Sequence, residues 1–109
     1  KMMRDFTYID DIVEGVIRIQ DVIPTDEIPY SLFNIGNNEP IQLSRFIAAI
    51  ESATGKSAEK IMLDMQPGDV ERTYANTARL ETAVGYKPQT EIEHGIQQFV
   101  DWYKKYRRI

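Results

Sequence analysis

The stretch Arg4-Asp5-Phe6-Thr7-Tyr8-Ile9-Asp10-Asp11 decides the fold more than any other part of this sequence. Residues 5–9 are mostly aromatic or β-prone, so they predict a short strand that leads directly into a helix. Almost no sequence precedes that strand, and the chain begins at Lys1 instead of a methionine. We therefore expect this chain to be the C-terminal piece of a larger protein.

A helix after this strand is predicted by apolar residues at helical spacing, namely Ile9, Ile12, Val13, Val16, Ile17 and Ile23. This apolar face is interrupted only by Gln20, which predicts that the helix is buried. Asp11 and Glu14 have the three-residue spacing of a capping box, so we expect a side-chain cap at the helix start. Pro24 predicts the end of the helix, because proline cannot continue it.

Glycines and capping residues predict the ends of three further helices. The second helix is expected to stop at Gly55. Asn76 or Thr77 is expected to cap a short third helix that Gly85 closes. The last helix is predicted to start at about Ile92, because apolar residues recur there at helical spacing and charged residues occupy the other face.

Two further short strands are predicted, at residues 31–35 and 60–65. The sequence Gln66-Pro67-Gly68-Asp69 breaks the second of them sharply. Short strands therefore alternate with helices, without an internal repeat or an obvious linker. We predict a single small α/β domain over residues 1–109, rich in helices and with few short strands.

The composition narrows the class of protein. The chain has 109 residues, 42% of them hydrophobic and 28% charged, which is typical of one soluble domain. A net charge of −4 argues against a nucleic-acid partner, and no apolar run approaches the roughly 18 residues that span a bilayer. The absence of cysteine is compatible with a reducing compartment, so we expect a cytoplasmic protein with no membrane attachment.

Most groups that carry enzyme chemistry are missing from this sequence. His94 is the one histidine, and we interpret it as an ordinary residue near a helix start. With one histidine and no cysteine, we expect no metal site. The glycines are isolated, so the sequence has neither a phosphate-binding P-loop nor a GxGxxG dinucleotide turn. No cofactor is predicted to bind to these residues.

Two places do carry polar groups in the way that a ligand site needs. The guanidinium of Arg4 can form paired hydrogen bonds with phosphate oxygens, and a tight turn at residues 66–69 would point its first and last side chains outward. Local chemistry alone leaves simpler interpretations open. Arg4 could pair with Asp5 or Asp64, and a Pro-Gly-Asp sequence is often only a turn.

Four stretches, at residues 4–13, 33–36, 66–70 and 80–86, carry a resemblance to a known family. In order and spacing they resemble the C-terminal part of NAD-dependent nucleotide-sugar epimerases, which belong to the extended short-chain dehydrogenase/reductase family. The most similar members are bacterial UDP-glucuronate 4-epimerases of the capsule-biosynthesis type. The resemblance covers essentially the whole chain.

The resemblance implies an enzyme in two parts. In the family, an N-terminal Rossmann domain binds NAD and carries a catalytic Tyr-x-x-x-Lys pair, while the C-terminal part closes over a UDP-sugar. No tyrosine of this sequence is followed four residues later by lysine. We therefore expect no catalytic and no NAD-binding residue here, and no activity in this chain without its Rossmann domain. A homodimer formed mainly through N-terminal helices is also implied.

Three residues match positions at which the family binds the nucleotide-sugar. Arg4 matches the arginine that contacts the UDP diphosphate, and Asp69 matches the acid that can accept from ribose hydroxyls. Gln66 departs from the pattern, because several relatives place a second phosphate-binding arginine there. The substrate-binding candidates are thus Arg4, Gln66 and Asp69, whereas Asn76 is assigned a structural role.

The implied reaction moves hydride from the sugar C4 to NAD, turns the 4-keto sugar and returns hydride to its opposite face. A nucleotide-sugar 4,6-dehydratase or a decarboxylase remains an alternative, because these enzymes share the C-terminal architecture. A free-standing, non-catalytic nucleotide-binding or interaction module is the alternative from another class. The segment upstream of Lys1 would discriminate them, since only the enzymes require a Gly-rich turn and a Tyr-x-x-x-Lys pair there.

Overall fold

A computed structural model describes residues 2–109 and contains four helices and a small sheet. In chain order the elements are β1 (Met3–Arg4), α1 (Ile9–Ile19), β2 (Ile41–Gln42), α2 (Leu43–Thr54), α3 (Ala78–Val84) and α4 (Ile92–Arg107). The predicted class, a small helix-rich α/β domain, is confirmed. None of the helices in residues 2–109 has both the length and the apolar character needed to cross a membrane.

Strand β1 lies between two other backbone segments. On one side it pairs antiparallel with β2, so that Arg4 stands opposite Ile41. On the other side the amide of Met3 donates to the carbonyl of Glu71 (2.8 Å), and the amide of Thr73 donates to the carbonyl of Met3 (3.1 Å). The segment that follows the 66–69 turn therefore runs beside the strand that carries Arg4.

The helices pack as two pairs, α1 with α3 and α2 with α4. In the first pair Gly15 allows a close approach, because an added Cβ there would lie 3.2 Å from Ile35 and 3.7 Å from Leu80. In the second pair Arg45 and Glu93 form a forked ion pair at 2.7 and 2.9 Å. Close packing therefore joins α1 to α3, and an ion pair links α2 to α4.

The predicted glycine stops are confirmed. Gly55 and Gly85 follow α2 and α3 in the left-handed conformation, with φ of 71° and 65°. Helix α4 begins at Ile92 as expected. Helix α1, however, ends at Ile19, before Pro24 is reached. Its predicted side-chain cap is also wrong, because the carboxylate of Asp11 is engaged with other segments instead.

The three predicted strands are wrong in position or absent. The first strand is Met3–Arg4, not residues 5–9, because Tyr8 already serves as the N-cap of α1 and the residues before it pair with no neighbouring strand. Residues 31–35 and 60–65 are β-prone but form no ladder in residues 2–109. Strand propensity reflects a fit to a paired, half-buried surface, and these segments have no paired strand beside them.

The molecule is flat and exposes an unusual amount of surface. Its radius of gyration is 17.1 Å, against about 13 Å for a compact chain of this length. Its accessible surface is 8620 Å², against about 6,200 Å² for a compact protein of this mass. The α1 face that was predicted to be buried is exposed instead, with Ile9 62% and Ile17 56% accessible.

Candidate functional site

Arg4 lies in β1 and is half-buried. Its Nη1 atom donates to the carbonyl oxygen of Met3 at 2.9 Å. Within residues 2–109 no ion pair joins Arg4 to a carboxylate, so neither of the pairings with Asp5 or Asp64 that the sequence left open is formed. The guanidinium therefore keeps donors that an anionic ligand could use.

The turn at residues 66–69 forms as predicted. The amide of Asp69 donates to the carbonyl of Gln66 at 3.1 Å. Gly68 has φ of 89°, a conformation that side chains disfavour, and an added Cβ there would meet nothing within 4 Å. Gln66 and Asp69 are both exposed. The turn thus presents a neutral amide and a carboxylate to solvent.

Arg4 lies on a segment that neighbours the turn of Gln66 and Asp69, but among the described residues its side chain forms no hydrogen bond with either residue. The backbone nevertheless pairs β1 with the chain just beyond the turn, at Glu71 and Thr73. The arrangement therefore places a cation and the base of an exposed polar turn on adjacent segments of backbone.

Asp5 joins this region together, and sequence reasoning missed it. Its Oδ2 atom accepts hydrogen bonds from the amides of Asn38 (2.9 Å) and Ala75 (2.8 Å). Its Oδ1 atom is buried and has no hydrogen-bond partner in residues 2–109. The partners of Asp5 lie 33 and 70 positions away in sequence, so no local pattern could have indicated them.

A cavity of about 460 Å³ opens beside Asp5. Its lining residues include Asn34, Thr73 and Tyr74, together with Gly36. The lining is mostly polar or aromatic and includes neither histidine nor cysteine. The lining can offer hydrogen bonds to a polar ligand, and Asp5 supplies its one carboxylate among the described residues. No cluster of three His, Cys, Asp or Glu side chains suited to a metal occurs in the part of the chain that the structure describes.

A second cavity, of about 640 Å³, lies beside Asp11 and Tyr86. The Tyr86 hydroxyl donates to the backbone carbonyl of Asp11 (3.0 Å) and to its Oδ1 atom (3.3 Å), while Asp11 Oδ2 accepts from the amide of Thr90 (3.2 Å). Burial, aided by the Asp11 charge, raises the pKa of Tyr86 to about 12. The lining includes none of the three predicted binding residues, and His94, also in the lining, is exposed as expected.

No protein-family model matches this chain, but individual proteins do. Protein CapI of Staphylococcus aureus is 45% identical over 119 aligned positions, which cover 96% of this chain and 36% of that protein. A probable UDP-glucuronate 4-epimerase of Rhizobium meliloti is 40% identical, over 99% of this chain and 36% of that protein. The chain therefore spans about a third of the length of the relatives it matches.

A solved structure gives the same result for the fold. The UDP-glucuronic acid 4-epimerase from Bacillus cereus, in complex with UDP-glucuronic acid and NAD, matches with a TM-score of 0.81 and 30% identity. That match covers 96% of this chain and 33% of the epimerase. The chain has the fold of the C-terminal part of NAD-dependent nucleotide-sugar epimerases of the short-chain dehydrogenase/reductase class. Within this class it is a homologue of the UDP-glucuronate 4-epimerases.

Proposed function

We propose that this chain is the UDP-sugar-binding part of an NAD-dependent 4-epimerase that acts on UDP-glucuronate or a closely related UDP-hexose. The observation that carries the proposal is the 40% identity to a probable UDP-glucuronate 4-epimerase along 99% of this chain. The absence of cysteine is compatible with a reducing compartment, so the proposal also places the enzyme in the cytoplasm.

In this proposal Arg4 binds the diphosphate. Its planar guanidinium has donors that suit phosphate oxygens, and no carboxylate of the described residues neutralises it. A charge-assisted hydrogen bond is worth about 1.5 to 3 kcal/mol, which corresponds to roughly a tenfold to hundredfold change in affinity. The proposal therefore predicts a large binding defect when this side chain is removed.

The 66–69 turn contacts the nucleotide from the neighbouring segment. Asp69 is a hydrogen-bond acceptor and is assigned to the ribose hydroxyls. Gln66 is neutral, so it can donate to a phosphate oxygen without adding a second positive charge. The proposed diphosphate-binding site consequently contains one arginine, whereas several members of the family are expected to have two.

These contacts hold the part of the substrate that does not react. Contacts with the UDP group can supply the binding energy that holds the substrate in the enzyme, while the hexose remains free to rotate. Bound NAD would supply the hydride acceptor and donor for C4. The residues of this chain lack a dinucleotide-binding turn, and we therefore assign NAD and the catalytic tyrosine and lysine to another part of the polypeptide.

The exposed apolar surface supports a partner within the same polypeptide. The accessible surface exceeds that of a compact protein of this mass by about 2,400 Å², more than a typical interdomain interface covers. The apolar α1 face contributes Ile9, Val13 and Ile17 to it. We assign this face to packing against the NAD-binding domain. Without that domain, the 109-residue chain is expected to self-associate or to bind hydrophobic dyes, and a dye-free monomer would contradict the assignment.

The experiment that tests the proposal compares Arg4→Ala with Arg45→Ala in the natural gene product that contains this chain. Arg45 is the matched control, because its guanidinium in α2 is already paired with the carboxylate of Glu93 in α4, 2.7 Å away. UDP affinity is measured by calorimetry and epimerisation of UDP-glucuronate by chromatography. Arg4→Ala should weaken UDP binding at least tenfold and Arg45→Ala less than twofold. Equal effects, or the absence of a C4-epimerised product from the wild type, would contradict the proposal.

A further inference from the structure

Three segments that are distant in sequence converge on the carboxylate of Asp5. The side chain belongs to the residue directly after β1, and its Oδ2 atom holds the amides of Asn38 and Ala75 at 2.9 and 2.8 Å. Hydrogen bonds from backbone amides to a carboxylate are among the stronger ones in proteins. One oxygen atom thus joins the strand of Arg4 to two other parts of the chain.

Around the Asp5 carboxylate, the backbone at Gly36 packs closely against Ala75. An added Cβ at Gly36 would lie 2.5 Å from the Cβ of Ala75 and 3.3 Å from Asp5 Oδ2. Real Cβ atoms do not approach so closely, so any side chain at position 36 would push the loop and residue 75 apart. The glycine is therefore required for both amides to reach the same carboxylate oxygen.

The segment that leads to Ala75 needs such an attachment. Residues 55–72, which contain the 66–69 turn, are all exposed. Beyond the turn the chain returns to the body of the domain through the backbone bonds of Glu71 and Thr73 with Met3, and then through the bond of Ala75 with Asp5. Asp5 therefore acts on the end of the segment that carries Gln66 and Asp69.

We propose that Asp5 is a positioning residue for the nucleotide site: it fixes the strand of Arg4 against the segment of the 66–69 turn so that both reach one UDP group. This inference rests on the function proposed above for Arg4 and the turn. Asp5 itself does not contact the ligand in this scheme. Its contribution is to set the separation between two binding groups before the ligand arrives, which lowers the cost of ordering them on binding.

The test uses the natural gene product with Asp5→Ala, Asp5→Asn and Asp11→Ala. Asp11 is a matched control, because it too accepts the amide of a residue 79 positions away, at Thr90. Affinity for UDP is measured by calorimetry at a temperature where thermal unfolding shows every variant to be folded. Asp5→Ala should weaken binding at least tenfold, and Asp5→Asn should recover most of the loss because its amide oxygen can accept the same bonds. Asp11→Ala should lower the melting temperature and change the affinity less than twofold.

Equal affinity losses for Asp5→Ala and Asp11→Ala would overturn the inference, and so would an Asp5→Asn variant as weak as Asp5→Ala. Should Asp5→Ala fail to fold, amide hydrogen exchange of the wild type replaces it. Saturating UDP should then slow exchange at Ala75 and leave Thr90 unchanged, and equal protection at both sites would contradict the claim. If Arg4→Ala also leaves UDP binding intact, the proposed function fails; if only the Asp5 variants do so, this inference alone fails.

Discussion

Asp5 and Asp11 are two carboxylates with the same structural task in two different regions. Each accepts backbone amide hydrogen bonds from residues far away in sequence, Asp5 from Asn38 and Ala75 and Asp11 from Thr90. Asp5 stands next to Arg4 and the segment of the polar turn, whereas Asp11 stands beside the tyrosine that follows α3. In our proposal, the same kind of carboxylate contact serves a nucleotide site at Asp5 and the stability of helix packing at Asp11.

The surroundings of the two carboxylates support this division. Asp11 uses both side-chain oxygens, and its tyrosine partner Tyr86 also stacks beneath the Arg18 guanidinium, 4.9 Å from the ring centre. Asp5 uses one oxygen twice and leaves the other buried without a partner in residues 2–109. We call each carboxylate with its hydrogen-bond partners a junction. A junction in which every polar atom has a hydrogen bond suits stability, and one with an unpaired buried atom is more often found where function constrains the structure.

The largest expected effect is on the free energy of unfolding and concerns Leu80, which packs between α1 and α3. This side chain is 0% exposed and lies against Gly15 of α1. Leu80→Ala should reduce the free energy of unfolding by about 2 to 5 kcal/mol, because it opens a cavity between α1 and α3. Urea unfolding of the natural gene product measures the loss. UDP affinity of the folded variant should stay within twofold, and a large loss of affinity would break the comparison.

Gly36→Ala is the corresponding substitution near Asp5, in the region that we propose for nucleotide binding. The added methyl group would clash with Ala75 and crowd Asp5, so the variant should lose about 1 to 3 kcal/mol of stability. Unlike the Leu80 variant, it should also weaken UDP binding several-fold, because the loop and residue 75 must separate. Calorimetry with UDP distinguishes the two cases. Unchanged affinity would show that the spacing of these segments is irrelevant to the site.

The Asp11 junction should give a characteristic pH dependence. The pKa of Tyr86 is about 12 in the folded chain and about 10 in an unfolded one. The protonated hydroxyl therefore adds stability that is complete below about pH 10 and is lost as the pH rises towards about 12. The urea midpoint should fall across this range in the wild type and less in Tyr86→Phe. Absorbance at a tyrosinate wavelength should show a late ionisation in the wild type that Tyr86→Phe lacks.

The smallest expected effect concerns the fork between Arg45 and Glu93. Its hydrogen bonds raise the pKa of Arg45 and lower the pKa of Glu93, yet both side chains are about half exposed. Solvent screening limits such a pair to about 0 to 1 kcal/mol. Because the pKa of Glu93 is lowered, its contribution is present above its unfolded pKa and disappears as the pH falls through the folded value. Glu93→Gln should remove this acid dependence of the free energy of unfolding. A loss of stability in Glu93→Gln that persists in high salt would show that the ion pair is not its cause.

The comparison also explains what the sequence could predict. The stops at Gly55 and Gly85 depend on backbone conformation within one turn of a helix, so the local pattern predicted them. The roles of Asp5 and Asp11 depend on partners 33 to 79 positions away, and no local pattern contains that information. Asp11 was assigned to a helix cap for this reason. The structure instead uses it between α1 and the chain around Thr90.

The strands and the relative placement of the site residues also depend on contacts between segments that are distant in sequence. Residues 31–35 and 60–65 have the composition of strands, but a strand also needs a neighbour, which sequence alone does not supply. The candidates Arg4, Gln66 and Asp69 lie on a strand and on a turn, although the strand that carries Arg4 was predicted at residues 5–9. Their placement on adjacent segments became visible only through the pairing of Met3 with Glu71 and Thr73. Their binding of UDP stays a prediction.

The most direct test of the central claim is an amide NMR titration with UDP, carried out on the 109-residue chain and on the natural gene product. The account predicts shifts at Arg4, at the 66–69 turn and at Ala75, where the Asp5 junction meets the turn segment. It predicts no shifts at Tyr86 or Thr90, which belong to the other junction. Shifts centred on Tyr86 and Thr90, or none at Arg4 and the turn in either protein, would contradict it.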